Sequence, residues 1–249
     1  MTSALRETTR TTHKIRDKKM KMNQPQRTAL SLAIAAALTA MVPTVTLGQT
    51  VISTNTTGTQ YWTDNDFTVD SGVSLFSDVG NAAVYSNGGG VLGVLINNGT
   101  INGADGGVVS SNDIDQLHNN GSILGGTYYG VANFSARINV FSNSGAISGT
   151  SGGIFNDGTI GSFHNELGGT INGLENAASG TITDFKNDGT ISKLENSGAI
   201  NSSTPYGIAL TNGGTITLLE NKASGTIGDV FNIGTINTLN NQGTIGGSI

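Results

Sequence analysis

The phrase Leu-x-Asn-x-Gly-Thr-Ile constrains this chain more than any other feature. It reads LNNQGTI at Leu239 to Ile245 and FKNDGTI at Phe185 to Ile191, and variants recur from Leu95 onward. Its asparagines stand at Asn97, Asn119, Asn143, Asn156, Asn165, Asn176, Asn187, Asn196, Asn212, Asn221, Asn232 and Asn241. Taking every second one gives a period of about 20–25 residues, the length of one coil of a parallel solenoid. A helix face does not fit, because the apolar spacing is wrong and glycine interrupts every unit.

Period-two alternation puts the Leu and Asn of Leu-x-Asn on one face. Each phrase then reads as half a coil, with Leu and Ile filling the core and Asn pointing inward or into a corner. Stacked coils place identical residues about 4.8 Å apart. At that spacing the twelve asparagines are expected to form hydrogen-bonded ladders. The glycine after each Asn is expected to supply a corner of positive φ. The extra residues in ELGGTI, AASGTI and KASGTI lengthen a corner without disturbing what stacks. Three longer interruptions, near 102–116, 124–140 and 201–209, carry the phrases Tyr128-Tyr129-Gly130-Val131 and Tyr206-Gly207-Ile208. They are expected to add a third strand and an excursion from the coil. The fold expected is all-β, a right-handed parallel β-helix of roughly seven to nine coils.

Composition agrees with many short strands joined by Gly and Asn turns. Charged residues are 12% and aromatics 6% of the chain. That scarcity disfavours both a solvated disordered chain and a helical bundle. The absence of cysteine excludes a disulfide framework and thiolate metal sites.

Three segments are expected. Residues 1–48 read as a secretory signal: a basic stretch, an apolar run from Ala29 to Val42, then Thr46-Leu47-Gly48. Cleavage is placed after Gly48, with Ala40 as the second choice, and translation starts at Met1, Met20 or Met22. The apolar run is shorter than the ~20 residues of a spanning helix. Residues 49–94 are non-repetitive, with Phe67, Val69, Val73 and Leu75 as inward candidates and Trp62 as the single tryptophan. They read as an N-terminal cap of the solenoid, or as a degenerate first pair of repeats. Residues 95–249 are the repeat array. Eight of the 12 Lys and Arg residues precede residue 49, against two of the 17 acids. The remainder is therefore strongly acidic, and nucleic acid is not an expected partner.

The long basic signal, the phrase YWTDNDFTVDSGVSL and the Leu-x-Asn-x-Gly-Thr-Ile array together resemble the passenger region of bacterial autotransporters, in particular the adhesin-like β-helix group. The resemblance implies export from a Gram-negative cell and display at the outer membrane or secretion. It further implies adhesion or aggregation on a host or neighbouring-cell surface, through protein or glycan. It also implies an outer-membrane barrel, supplied in cis or in trans. The ~10-residue alternating segments of such a barrel are missing here, so a fragment, a truncated frame or a separately encoded barrel is expected.

Candidates for chemistry are few. His118 and His164 occupy the same slot two coils apart, about 10 Å from each other, too far to share a metal. Glu175, Glu195 and Glu220 occupy the equivalent slot of the other half-coil and should stack as an acidic stripe, relieved by Lys193 and Lys222. Asp105, Asp113, Asp115, Asp157, Asp184, Asp188 and Asp229 are scattered, with Arg137 the one arginine after the signal. The Gly-rich run Gly88-Gly89-Gly90 lacks the Lys-Ser/Thr of a phosphate loop. A non-catalytic protein without metal or cofactor is expected. The alternatives are a secreted polysaccharide-active β-helix enzyme, which needs carboxylates facing one cleft, and an ice-binding solenoid, which the uneven repeat spacing would break. Function is expected where the repeat is interrupted, around Asp105, Tyr128 and Tyr206, or in the Glu175, Glu195 and Glu220 slots.

Overall fold

The computed structural model describes residues 48–63, 66–78, 80–86, 90–205 and 207–247. The expected signal, apart from Gly48, and Tyr206 lie outside them. The described residues contain no helix. They form 28 strands in two parallel sheets, of 13 and 15 strands. The chain is a parallel β-solenoid of about 8 turns.

One coil shows the plan. Strand Thr159–Asn165 lies in the first sheet. After a corner, strands Thr170–Ile171 and Leu174–Asn176 lie in the second, and Thr181–Thr183 returns to the first one level on. Each half-coil therefore spells Thr-Ile-x-x-Leu-x-Asn, with a corner between Asn and the next Thr. Alternation turns Ile, Leu and Asn inward together.

Stacking converts the repeat into four apolar columns. Phe67, Leu95, Leu117, Phe141, Phe163, Phe185, Leu210 and Val230 follow one another in register. Leu75 and the isoleucines 101, 123, 147, 171, 191 and 216 form a second column. Leu92, Ile114, Ile138, Ile160, Ile182, Ile200 and Ile227 form a third. Val84, Val108, Val131, Ile154, Leu174, Leu194 and Leu219 form the fourth. All of these are buried, and full burial of such a side chain stabilises by about 1.5–3 kcal/mol. Phe163 and Phe185 stack with centroids 4.8 Å apart, the rise of one coil.

The asparagines form two ladders, one at the end of each sheet. In the first, the Nδ2 of Asn97, Asn119, Asn143, Asn165, Asn187 and Asn212 each donates to the Oδ1 one coil on, at 2.7–2.8 Å, ending at Asn232. In the second, Asn133, Asn156, Asn176, Asn196 and Asn221 do the same at 2.8–2.9 Å, ending at Asn241. Within the ladders each amide also donates to corner carbonyls: Asn119 to Gly121 and Ala146, Asn196 to Gly198 and Thr226. Asn at this slot thus satisfies the corner backbone that the buried turn would otherwise leave unpaired. Eleven ladder residues are buried. Asn232 and Asn241, on the last described coil, are exposed.

Asn133 is absent from the repeat-derived set, because its corner reads Asn133-Phe134-Ser135-Ala136-Arg137 in place of Asn-x-Gly-Thr. Ser135 takes a positive φ of 57° there, and the carbonyl of Ala136 accepts the amide of Asn133. Ser86 and Ser110 hold the two preceding levels of this column, joined at 2.6 Å. Ser110 donates to Asn112, so the Oδ1 of Asn133 accepts nothing.

The expected role of the corner glycine is overturned. None of Gly99, Gly121, Gly145, Gly158, Gly189, Gly198, Gly214, Gly234 and Gly243 has positive φ. They are required for space. A Cβ on Gly121 would lie 2.0 Å from the carbonyl oxygen of Gly99, and one on Gly145 would lie 1.9 Å from that of Gly121. Each coil's corner carbonyl occupies the position where the next residue's side chain would begin. Positive φ is confined to longer corners and bends, such as Gly168 at +89° in ELGGTI.

The described strands between Thr50 and Ser86 stack in register with the array, Phe67 under Leu95 and Leu75 under Ile101. The third strand expected in the interruptions at 102–116 and 124–140 is present as Val108–Ser110 and Tyr129–Asn133, reached by short bends at 104–107 and 126–128 in place of an excursion. In the third interruption, 201–209, the described residues 202–205 and 207–209 carry no strand. The segment is anchored where Asp184, at φ 53°, breaks the first sheet's strand and accepts the Ser203 N–H at 2.9 Å.

Candidate functional site

The columns and ladders fill the inside of the coil, so chemistry toward a ligand must sit on outward positions. The ladder residues named from the sequence are structural. Their amides point into corners and are consumed by one another and by backbone carbonyls.

The outward slot before each second-ladder position runs Tyr61, Tyr85, Val109, Ala132, Phe155, Glu175, Glu195 and Glu220 in register. It begins aromatic and ends acidic. Over its apolar half lies a groove of ≈ 340 Å³ whose floor is Tyr85, Val109, Ala132 and Phe155. The bends entering these strands add Asp105 and Tyr128, and the residue leaving one of them adds Phe134. Phe155 is the hub of the ring contacts, with centroids 5.1 Å from Tyr129 and 5.5 Å from Phe134. Tyr128 and Phe134 are 56% and 43% exposed, against the usual burial of large apolar rings. Among the described residues the Asp105 carboxylate has no hydrogen-bond or ion-pair partner.

Tyr129 joins the groove to the acidic end. Its ring leans along the axis over Gly152, where a Cβ would lie 3.0 Å from ring carbon Cε1. Its hydroxyl donates to Glu175 Oε2 at 2.5 Å. Burial, and then the Glu175 carboxylate, hold this phenol well above the ordinary tyrosine range.

The expected acidic stripe is present, and two lysines interleave it. Lys222 pairs with Glu220 at 2.8 Å and Glu195 at 3.5 Å, and Lys193 pairs with Glu220 at 3.2 Å and with Glu195. The hydrogen bond from Lys222, then that from Lys193, lowers the pKa of Glu220. Hydrogen bonds to Glu195 and to Glu220 raise the pKa of Lys193 and Lys222 respectively, as the largest causes.

On the first sheet, Ser142 separates the levels of His118 and His164. His118 bonds Ser142 Oγ at 2.6 Å and Gln116 Oε1 at 2.7 Å. His164 Nε2 and Lys186 Nζ both contact Asp188 Oδ2, at 2.8 and 2.6 Å. Lys186 first and His164 second hold the Asp188 carboxyl below its usual range. Asp184 and Lys186 line a shallow pocket beside His164, under Ile208 of the third interruption. Among the described residues no cluster of three His, Cys, Asp or Glu side chains could hold a metal ion.

Asp105, Tyr128 and Glu175 were legible as candidates because they interrupt the repeat or vary within it. Tyr85, Phe134 and Phe155 were missed. Aligning the slot before each ladder position would have found Tyr85 and Phe155, but Phe134 sits in a corner that departs from the repeat. The reason for setting aside an ice-binding array also changes. The uneven spacings fall in corners, and Thr170, Thr190, Thr215 and Thr235 stack in register. What breaks a flat threonine lattice is the neighbouring outward position, where Ser192, Thr217 and Asn237 differ in size.

The fold and outer surfaces define a parallel β-solenoid protein with an aromatic groove on one sheet. Comparisons with protein-family models, with curated proteins and with solved structures find no match.

Proposed function

We propose that this chain is a non-catalytic passenger displayed at a bacterial cell surface, where it acts as stalk and adhesin. One observation carries the reading: the specialised outward surface of the described coils is an aromatic groove, which suits binding. The sequence-level resemblance to autotransporter passengers supports the surface location. An outer-membrane barrel, in cis or in trans, would complete export, and a host or neighbouring-cell surface would be the partner.

The decisive experiment expresses the full chain with its leader fused to an outer-membrane barrel. Intact cells should lose the protein to added protease and should aggregate or adhere more than cells carrying the barrel alone. Protease-resistant protein, or unchanged adhesion and aggregation with the protein on the surface, would overturn the reading. A polysaccharide-active enzyme is the second reading, favoured by the proximity of His164, Asp184 and Lys186 beside one pocket. Cleavage of a polysaccharide by the purified chain, abolished by Lys186→Met, would establish it.

A further inference from the structure

We infer that the groove on the second sheet is a saccharide-binding site that seats the pyranose rings of an uncharged oligosaccharide. The inference gives the adhesive reading its ligand class and rests on that reading for its biological setting.

The first argument is the kind of surface exposed. Five rings surround the groove: Tyr85, Tyr128, Tyr129, Phe134 and Phe155. This lies in a chain in which aromatics are 6% of residues, so the concentration is local. Aromatic faces carry negative charge in their π-systems. The polarised C–H groups on one face of a pyranose complement them, while its hydroxyls remain at the edge. Tyrosine supplies such contact area at low entropic cost.

The second argument is the polar complement. A site for a small ligand combines an apolar lining with a few convergent polar groups, in a volume of about 300–1,000 Å³. Here the volume is ≈ 340 Å³ and the polar groups include Asp105 and the tyrosines. The Asp105 carboxylate, without a partner among the described residues, offers two acceptor oxygens. Two vicinal sugar hydroxyls are natural donors to it.

The remaining chemistry rejects the other occupants. A peptide strand adds to a sheet through unpaired edge groups, but the groove lies on a face, between strands already paired on both sides. A lipid chain would bury the carboxylate of Asp105 in hydrocarbon, which is strongly unfavourable. A nucleic acid or a uronic-acid glycan would bring negative charge toward Asp105 and toward Glu175 beside Tyr129. An uncharged glycan leaves none of these conflicts.

The test uses the purified full chain and neutral hexasaccharides of glucose, mannose and N-acetylglucosamine, with hexagalacturonate as the anionic probe. Calorimetric titration should detect at least one neutral hexasaccharide and little or no hexagalacturonate. Tyr128→Ala and Asp105→Asn should each weaken binding by about tenfold or more, near 1.4 kcal/mol. Phe231→Ala, on the other sheet, should leave it unchanged. Phe134→Ala is the second groove variant should either of the first two lose its β circular-dichroism signal. The inference falls if no neutral hexasaccharide binds, if binding ignores the groove variants, or if hexagalacturonate binds more tightly. Saccharide binding by the purified chain with no adhesion of displaying cells would overturn the adhesive reading while leaving the site intact. Adhesion without saccharide binding would do the reverse.

Discussion

At the scale of single residues, this molecule depends on what fits between one coil and the next. Gly189 and Gly168 separate the two reasons for glycine. A Cβ on Gly189 would lie 2.3 Å from the Gly169 carbonyl and 2.5 Å from that of Glu166, whereas one on Gly168 meets nothing within 4 Å but sits at φ +89°. Gly168→Ala should cost about 1–2 kcal/mol, the strain of a left-handed conformation. Gly189→Ala should cost at least about 3 kcal/mol, the upper range for overpacking, since the obstructing atoms are backbone. Urea denaturation of the two variants gives the order. The ladders make a parallel prediction. Asn187→Ala strands a donor on Asn165 and an acceptor on Asn212, at about 1–3 kcal/mol for each unsatisfied group. Asn97 starts its ladder above Val69, so Asn97→Val removes one ladder bond where Asn187→Ala removes two, together with the donor to the Ser122 carbonyl and the acceptor for the Gly99 N–H, and should cost less. Equal losses would show that the ladder is not what the asparagines contribute.

At the scale of elements, the outward columns tune the sheets. Glu195 and Glu220 are directly opposed in register, an arrangement that destabilises when unrelieved. Lys193 and Lys222 bridge both. The pKa of Glu220 is lowered on folding, so its contribution is present above the unfolded carboxyl value and lost as pH falls through the folded one. The lysine values are raised, so their contribution is present below the unfolded amine value and lost as pH rises through the folded one. The double variant Lys193→Met, Lys222→Met keeps the aliphatic stems and removes the charges. It should melt below the parent at neutral pH, with the gap closing as pH falls below the ordinary glutamate range and Glu220 protonates. High salt at neutral pH should also narrow the gap. A gap independent of pH and salt would assign the lysines to packing alone.

At the scale of the whole molecule, each coil touches only its neighbours, and stability is a sum of coil and interface terms. Removing one complete period should therefore leave a folded protein. Deleting residues 213–232 joins Asn212 to Ile233, recreates Leu-x-Asn-x-Gly-Thr-Ile, and returns each column to register. Circular dichroism should keep its β signature with a modestly lower urea midpoint. Deleting Thr215, Ile216 and Thr217 alone turns the inward set of one strand outward and should abolish cooperative unfolding. If the two deletions behaved alike, register would not govern this fold.

The sequence by itself determined the solenoid, the twelve asparagines that ladder, the apolar columns and the acidic stripe. All follow from period two within a strand and one period per coil, which are properties of the covalent chain. It also pointed to Asp105, Tyr128 and Glu175, because a residue that breaks a repeat is visible without coordinates. The tertiary structure decided the rest. Asn133 joins a ladder through a corner that spells differently. The corner glycines answer to a carbonyl from the previous coil, a neighbour some 20 residues away in sequence, so no local rule could assign their role. The groove likewise collects Tyr85, Asp105, Tyr128, Phe134 and Phe155 from four successive levels. Only the stacking of coils brings residues of that separation together, because the solenoid converts distance along the chain into a single step along its axis.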